Sequence, residues 1–110
     1  MSSPARTLSG MITVFIRYKI DPTQLSAYEE YARRLLEIIP RLGGDLIGYF
    51  LPHEGTNYIA FGVIRFPSLA EYEAYRERLK TDEACVAALA FAREGKFILE
   101  ESRSFLKQVV

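Results

Sequence analysis

Apolar residues change their spacing several times along this chain, and the order of these changes constrains the fold more than any other feature. Side chains that alternate between two faces are typical of a β-strand, whereas an apolar spacing of three and four residues is typical of an amphipathic helix. The segments found in this way are a strand at 11–20, a helix at 21–44, strands at 45–52 and 58–66, a helix at 67–95 and a strand at 96–109. The predicted order is therefore β-α-β-β-α-β.

The first predicted helix has signals at both ends and one apolar stripe. Pro22 suits a helix start, whereas Pro40 removes an internal hydrogen bond, so the helix should end or kink near Ile39. Gly43–Gly44 then permits a left-handed exit from the helix. The residues predicted to form the stripe are Leu25, Tyr28, Ala32, Leu35, Leu36 and Ile39.

The second predicted helix consists of two pieces. Ser68 and Glu71 have the spacing of a capping box, in which the serine accepts a backbone hydrogen bond at the helix start. Thr81–Asp82 restarts the helix, and Gly95 ends it. The apolar stripe of the first piece is predicted to be Leu69, Tyr72, Tyr75 and Leu79.

This order of elements predicts an α+β protein with a ferredoxin-like fold, in which a four-stranded antiparallel sheet carries its helices on one face. The chain has 110 residues, which fits one domain. We assign that domain to 11–110 and expect 1–10 to be a flexible N-terminal tail.

Both faces of the predicted sheet carry apolar residues, although the helices cover only one of them. In the third strand, one face has Ile59, Phe61 and Val63, and the other has Tyr58, Ile64 and Phe66. In the second strand, the corresponding sets are Leu46 with Phe50, and Ile47 with Tyr49 and Leu51. An exposed apolar face of this kind is typical of a binding surface. We predict a homodimer whose two sheets pack into a dimeric α+β barrel; a different protein or a bulky ligand is the alternative cover.

Composition argues against several classes of function. Lys and Arg total 14, as do Asp and Glu, so the net charge is zero and no nucleic-acid partner is expected. One histidine and one cysteine cannot form a His/Cys zinc site, so we predict no metal and assign no cofactor. Cys85 lies in an apolar run and is expected to be a small buried hydrophobe. We find no membrane span and no signal peptide, and therefore expect a cytoplasmic protein.

Polar residues on otherwise apolar strands are the best candidates for a ligand site. Arginines beside tyrosines can hold a small carboxylate or phosphate through paired hydrogen bonds. The candidate ligand-binding residues are Arg17, Tyr49, Tyr58, Arg65, Glu101 and Arg103. The alternative is that Arg17, Glu101 and Arg103 form ion pairs between chains at the rim of the dimer.

His53 is the single histidine and lies in the turn 53–57 between the second and third strands. A functional role would be an axial haem ligand or a general base at the end of the barrel. The interpretation that we favour is an exposed turn residue beside Glu54, because hairpin turns lie on the surface and tolerate polar side chains.

Several short motifs resemble a known family. They are Gly43–Gly44, Gly48–Tyr49, the corner Phe66-Pro67-Ser68-Leu69, Tyr72-x-x-Tyr75-Arg76 and Arg103-x-Phe105-Leu106. Together they make 11–110 similar to the NIPSNAP family, in its small bacterial single-domain branch. The resemblance implies a dimeric α+β barrel, and it supplies no catalytic motif. Relatives with this barrel include cofactor-independent monooxygenases, isomerases and haem-degrading enzymes, but a shared fold does not transfer chemistry.

Three functions remain open from the sequence. The first is a NIPSNAP-like protein that binds a small apolar or aromatic molecule, with no assigned catalysis. The second is a cofactor-independent monooxygenase or isomerase, which would need Tyr, Arg or His53 as base and oxyanion partner. The third is a protein-interaction module.

Overall fold

The computed structural model describes residues 11–110, and the predicted tail at 1–10 lies outside the described residues. The elements are β1 (Ile12–Ile20), a short 3-10 turn (Pro22–Gln24), α1 (Leu25–Arg41), β2 (Asp45–Phe50), β3 (Ile59–Phe66), α2 (Leu69–Thr81), α3 (Glu83–Gly95) and β4 (Ile98–Leu106). The predicted order of elements is confirmed, as is the break that divides the second helical region at Asp82.

The four strands form one antiparallel sheet with the order β2-β3-β1-β4. One face of this sheet packs against the helices, and we call it the covered face. On β1 the covered face carries Val14, Ile16 and Tyr18, all of which are buried. The opposite face, which we call the open face, carries Phe15 and Arg17 of the same strand. This arrangement confirms the ferredoxin-like fold.

The core lies between the covered face and the helices, and it is rich in aromatic rings. The largest side chains that are almost fully buried are Tyr18, Tyr28, Phe66 and Phe97. The predicted stripes need two corrections, because Leu36 of α1 and Leu69 of α2 are 49% and 51% exposed. In α1, the buried face is centred instead on a line that includes Tyr31 and Ile38.

The predicted faces of β2 are wrong because the strand contains a β-bulge. Leu46 pairs with Ile64 but Gly48 pairs with Val63, so Ile47 is the extra residue. The bulge reverses the alternation, and Leu46 and Tyr49 both pack against the core on the covered face. The predicted set that joined Leu46 with Phe50 therefore does not exist.

The helix ends follow the predicted signals. The Ser68 hydroxyl accepts a hydrogen bond from the Glu71 backbone N–H at 3.1 Å, which caps α2. The Asp82 carboxylate accepts the Cys85 N–H at 3.0 Å and caps α3. Pro40 lies in the last turn of α1, and the chain leaves that helix at Gly43 with a φ of 108°.

Candidate functional site

A cavity of about 280 Å³ lies between the covered face and the three helices. All four strands and all three helices contribute to its wall, so the cavity exists only in the folded domain. Its aromatic wall consists of Tyr18, Tyr31, Tyr49, Tyr72 and Tyr75. Its aliphatic wall includes Val14, Ile16, Leu35, Ile39, Ile64 and Leu79. Its charged residues are Arg76, Lys80, Glu101 and Arg103. Pockets with apolar walls and a few polar groups are typical small-molecule sites.

Tyr49 enters the cavity because of two local features of the sheet. The bulge in β2 turns Tyr49 toward the covered face, and Gly62 is its partner on β3. A Cβ atom at Gly62 would lie 2.7 Å from the Tyr49 ring, so a larger residue would displace that ring. The Tyr49 and Tyr18 hydroxyls lie 3.3 Å apart and form a hydrogen bond inside the cavity.

Burial holds four of the five tyrosines of the cavity in their neutral form. Burial raises the pKa of Tyr49 to about 12, although the hydrogen bond with Tyr18 acts in the opposite direction and lowers this pKa. Burial also raises the pKa of Tyr18, Tyr31 and Tyr75 above the usual tyrosine value. At neutral pH these phenols can therefore donate hydrogen bonds to a ligand, but they are not available as general bases.

The charged residues of the cavity are linked through one tyrosine hydroxyl. Arg103 donates to the Tyr72 oxygen at 3.0 Å and to Glu101 at 2.6 Å. Arg76 donates to the same Tyr72 oxygen at 3.2 Å. Burial alone would lower the pKa of Arg103, but its hydrogen bonds to Tyr72 and Glu101 raise the pKa above the usual arginine value. The guanidinium of Arg103 therefore stays charged.

Cys85 also lies on the cavity wall and is 2% exposed, as expected from its apolar neighbours. Burial raises the pKa of its thiol, and the nearby Asp82 carboxylate raises it further. The thiolate, which is the reactive form, is thus disfavoured.

The structure brings together three of the six candidate ligand-binding residues. Tyr49, Glu101 and Arg103 line the cavity. Arg17 and Arg65 lie on the open face, where Arg65 forms an ion pair with Asp45 at 2.9 Å. The separation follows from strand parity, because Arg17 occupies the face opposite Tyr18.

Two further candidates lie away from the cavity. Tyr58 is 40% exposed, immediately before β3, and its backbone oxygen accepts a hydrogen bond from the Ile20 N–H. His53 is exposed in the connection between β2 and β3. Neither residue is part of the cavity wall. The cavity therefore offers no imidazole base.

The sequence predictions missed most of the cavity wall. Tyr72 and Tyr75 were predicted only as part of an apolar stripe, and Tyr18 only as part of a strand face. Arg76 was noted only as part of a family motif. Helical spacing is a usable signal that Tyr72 and Tyr75 share a buried face, but it does not show that this face meets β4. Within 11–110 there is no group of three or more His, Cys, Asp or Glu side chains that could hold a metal ion. No helix of the described chain has the length and apolarity needed to cross a membrane.

Within the described residues 11–110, the fold is a ferredoxin-like α+β domain with a cavity between its sheet and its helices. The NIPSNAP sequence profile matches residues 13–110, and the chain belongs to the NIPSNAP family. A comparison with curated proteins found no match.

Solved structures from the same family share this fold. A NIPSNAP family protein of unknown function from Agrobacterium tumefaciens is 22% identical, with a TM-score of 0.80 over 92% of this chain and 90% of that chain. A NIPSNAP-like domain protein from Burkholderia xenovorans is 18% identical, with a TM-score of 0.74 over 92% and 87%.

The chain is also similar in structure to a protein that is not described as a NIPSNAP protein. A proposed antibiotic biosynthesis monooxygenase from Caulobacter crescentus is 15% identical, with a TM-score of 0.69 over 96% of this chain and 95% of that chain. At this identity the similarity concerns the fold alone, and it assigns no catalysis to this chain.

Proposed function

We propose that this NIPSNAP protein binds a small apolar or aromatic molecule in the cavity between its sheet and its helices. The observation that carries this proposal is the cavity itself, with a volume of about 280 Å³ and walls of tyrosine and aliphatic side chains. Aromatic rings provide large contact areas for a flat ligand. A well-packed domain core normally contains few voids larger than a water molecule, so an opening of this size needs an explanation.

The chemistry of the wall favours binding over acid–base catalysis. The raised tyrosine pKa values keep the phenols protonated. The Glu101 carboxylate is paired with Arg103 at 2.6 Å, so it is not free to act on a ligand. A cofactor-independent monooxygenase or isomerase would need a free base beside its substrate. The fold of the structural neighbour supports the monooxygenase or isomerase alternative, but no specific residue of this cavity does.

The binding proposal is tested with neutral aromatic probes. Isothermal titration with one- and two-ring amides, with 2-naphthamide as the reference probe, should show binding to the wild-type chain. Leu79→Trp should abolish this binding because Leu79 lines the cavity and an indole would fill it. Leu36→Trp is the matched control, since Leu36 is 49% exposed and is not part of the cavity wall. Absence of binding by every probe, or equal binding by both variants, would refute the proposal and favour an interaction module.

We also propose that two copies of the chain pair through the open faces of their sheets. The tilted rings of Phe15 and Phe61 pack there with centroids 5.2 Å apart, and Phe50 is 49% exposed beside them. Arg17 is exposed on this face and has no ion pair within the described residues. A twofold axis would cover both apolar patches at once.

The cytoplasmic location expected from the sequence likewise stays a prediction.

Light scattering tests the dimer. The wild-type chain should have twice the chain mass of 12.6 kDa at micromolar concentration. Phe61→Glu should give single chains, because a charge would replace the central ring of the open face. Leu36→Glu, which changes an exposed apolar residue of α1, should leave the dimer intact. A wild-type monomer at this concentration would rule out the pairing.

A further inference from the structure

The charges around the cavity are not balanced. Arg76 and Lys80 come from α2, and Glu101 and Arg103 come from β4. Three of these side chains are cationic and one is anionic. The rest of the wall consists of apolar residues and tyrosines, so these four side chains carry the charge of the cavity, and cations outnumber anions among them.

The ion pairs show where the uncompensated charge lies. Glu101 pairs with Arg103 at 2.6 Å, and Lys80 pairs with Glu77 at 3.0 Å. Arg76 has no carboxylate partner within residues 11–110, and its guanidinium donates instead to the neutral hydroxyl of Tyr72. Arg76 is therefore the cation at the cavity whose charge is left without a counterion.

Two guanidinium groups converge on one neutral oxygen atom. The Tyr72 oxygen accepts from Arg103 at 3.0 Å and from Arg76 at 3.2 Å. Two cations held this close to one another repel, and a neutral phenol compensates them only partly. An anionic oxygen placed between them would accept charge-assisted hydrogen bonds from both, which are about twice as strong as bonds between neutral groups.

We infer that the ligand of this cavity is an aromatic molecule of one or two rings that carries an anionic oxygen group, a carboxylate or an enolate, held by Arg76 and Arg103. This inference rests on the proposed function, since it names the chemical class bound at the same site. The cavity volume of about 280 Å³ lies at the lower end of small-molecule sites, and this limits the size of the aromatic body.

The tyrosines fit the same ligand. Tyr72 already accepts two hydrogen bonds, so its own hydroxyl hydrogen is left to donate, and within 11–110 it has no acceptor. Tyr49 and Tyr18 stay protonated and share one hydrogen bond deeper in the cavity. Their rings supply flat apolar walls for the aromatic body, whereas the guanidinium groups lie where its charged end would be.

A matched pair of probes separates charge from shape. 2-Naphthoate and 2-naphthamide have the same ring system and nearly the same size, but only the acid is charged at neutral pH. Isothermal titration of the intact chain should show 2-naphthoate binding at least tenfold more tightly than 2-naphthamide. This preference should decrease as salt is raised, because part of it comes from exposed Arg76.

Arg76→Gln is the decisive variant, because Arg76 is an exposed residue of α2 and its replacement should not prevent folding. It should remove most of the preference for the acid, because the affinity for 2-naphthoate should fall much more than the affinity for 2-naphthamide. The double variant Glu101→Gln/Arg103→Gln removes the second guanidinium without leaving an unpaired carboxylate. It should also reduce the preference for 2-naphthoate over 2-naphthamide. Arg33→Gln, which changes an exposed arginine of α1 that pairs with Glu29, is the control and should bind both probes as the wild type does.

The outcomes distinguish this inference from the proposed function. If both probes bind equally to the wild-type chain, the proposed function stands and the anionic ligand is refuted. If the preference exists but survives in Arg76→Gln and in the double variant, the assignment of the two arginines is refuted. If neither probe binds, the proposed function fails and this inference fails with it.

Discussion

The two faces of the sheet are built from alternate residues of the same strands, yet they differ in how polar groups are arranged. On the covered face, tyrosines from several elements and the Arg103 guanidinium converge on one cavity. On the open face, charges pair toward the edges, as Lys19 does with Glu100 at 3.5 Å, and the centre is the apolar pair Phe15–Phe61. The converging groups suit the small molecule that we propose for the cavity, whereas an apolar centre with charged edges suits the larger surface of a second copy of the chain.

The largest difference between the faces should appear in the stability of the domain. Phe66 is fully buried on the covered face, with its ring centroid 4.8 Å from that of Tyr75. Phe66→Ala should lower the free energy of unfolding by about 3–5 kcal/mol, measured by urea denaturation. Phe50→Ala on the open face, where Phe50 is 49% exposed, should cost clearly less. Equal losses at low protein concentration would show that the two faces do not differ in this way.

The next effect concerns the space that Gly62 leaves for Tyr49. Gly62→Val would bring side-chain atoms within about 3 Å of the Tyr49 ring, since a Cβ there already lies 2.7 Å from it. Overpacking of this kind costs roughly 1–3 kcal/mol, and the displaced ring should also weaken binding of 2-naphthamide. Val63→Ile, the next residue along and on the open face, is the control for both measurements. An unchanged affinity in Gly62→Val would exclude Tyr49 from the site.

A smaller effect concerns Asp82, which connects two helices above the covered face. Its carboxylate bonds Arg41 at 2.7 and 3.0 Å and caps α3, and the Arg41 bond lowers its pKa below the usual 3.8. A carboxylate whose pKa is lower in the folded state than in the unfolded chain stabilises the fold at any pH above its usual pKa. This stabilisation is lost as the pH falls through the lowered pKa of the folded state. Asp82→Asn should therefore melt several degrees below wild type at neutral pH, because asparagine keeps the cap but not the ion pair.

The pH dependence gives that prediction its control. The difference in melting temperature between Asp82→Asn and wild type should shrink toward zero as the pH falls below 3.8, the usual pKa of aspartate, and through the lowered pKa of Asp82. Asp45→Asn, which breaks the exposed pair with Arg65 on the open face, should change the melting temperature less. A difference for Asp82→Asn that stays constant with pH would contradict a contribution from its charge.

The smallest effect is expected at Tyr28, on the covered side but outside the cavity wall. Its hydroxyl is buried and has no hydrogen-bond partner within 11–110. Tyr28→Phe removes an unsatisfied polar atom, so the free energy of unfolding should stay within roughly 0.5 kcal/mol of wild type or rise. Tyr18→Phe should cost more, because the Tyr18 hydroxyl bonds Tyr49. A loss above about 1 kcal/mol for Tyr28→Phe in urea denaturation would reveal a partner for that hydroxyl.

The sequence predicted the order of elements and the helix caps because these depend on neighbours in the chain. The alternation in β1 and the spacing of Ser68 with Glu71 are complete within a few residues. The same reasoning failed for β2, where a single bulged residue reversed the faces after Leu46. It also placed Leu36 in the buried stripe, since spacing alone cannot fix the centre of a buried helix face.

The candidate site was predicted only in part, for a related reason. Glu101 and Arg103 are among the predicted ligand-binding residues, and the structure places both at the cavity. Arg17 was grouped with them, although the register pairs it with Phe61 and Ser102 on the opposite face. Tyr72 was predicted only as part of an apolar stripe and Arg76 only as part of a family motif, and nothing in their spacing shows that their helix reaches β4.

The amino-acid sequence by itself determined the ferredoxin-like order of this NIPSNAP protein, because hydrophobic period, proline, glycine and capping residues act over short stretches of chain. Only the tertiary structure decided which polar groups meet. The Tyr72 oxygen lies within 3.2 Å of the guanidinium groups of Arg76, in α2, and Arg103, in β4. These two arginines are 27 positions apart in the sequence. That meeting depends on the register and packing of the whole domain, and no local pattern encodes it.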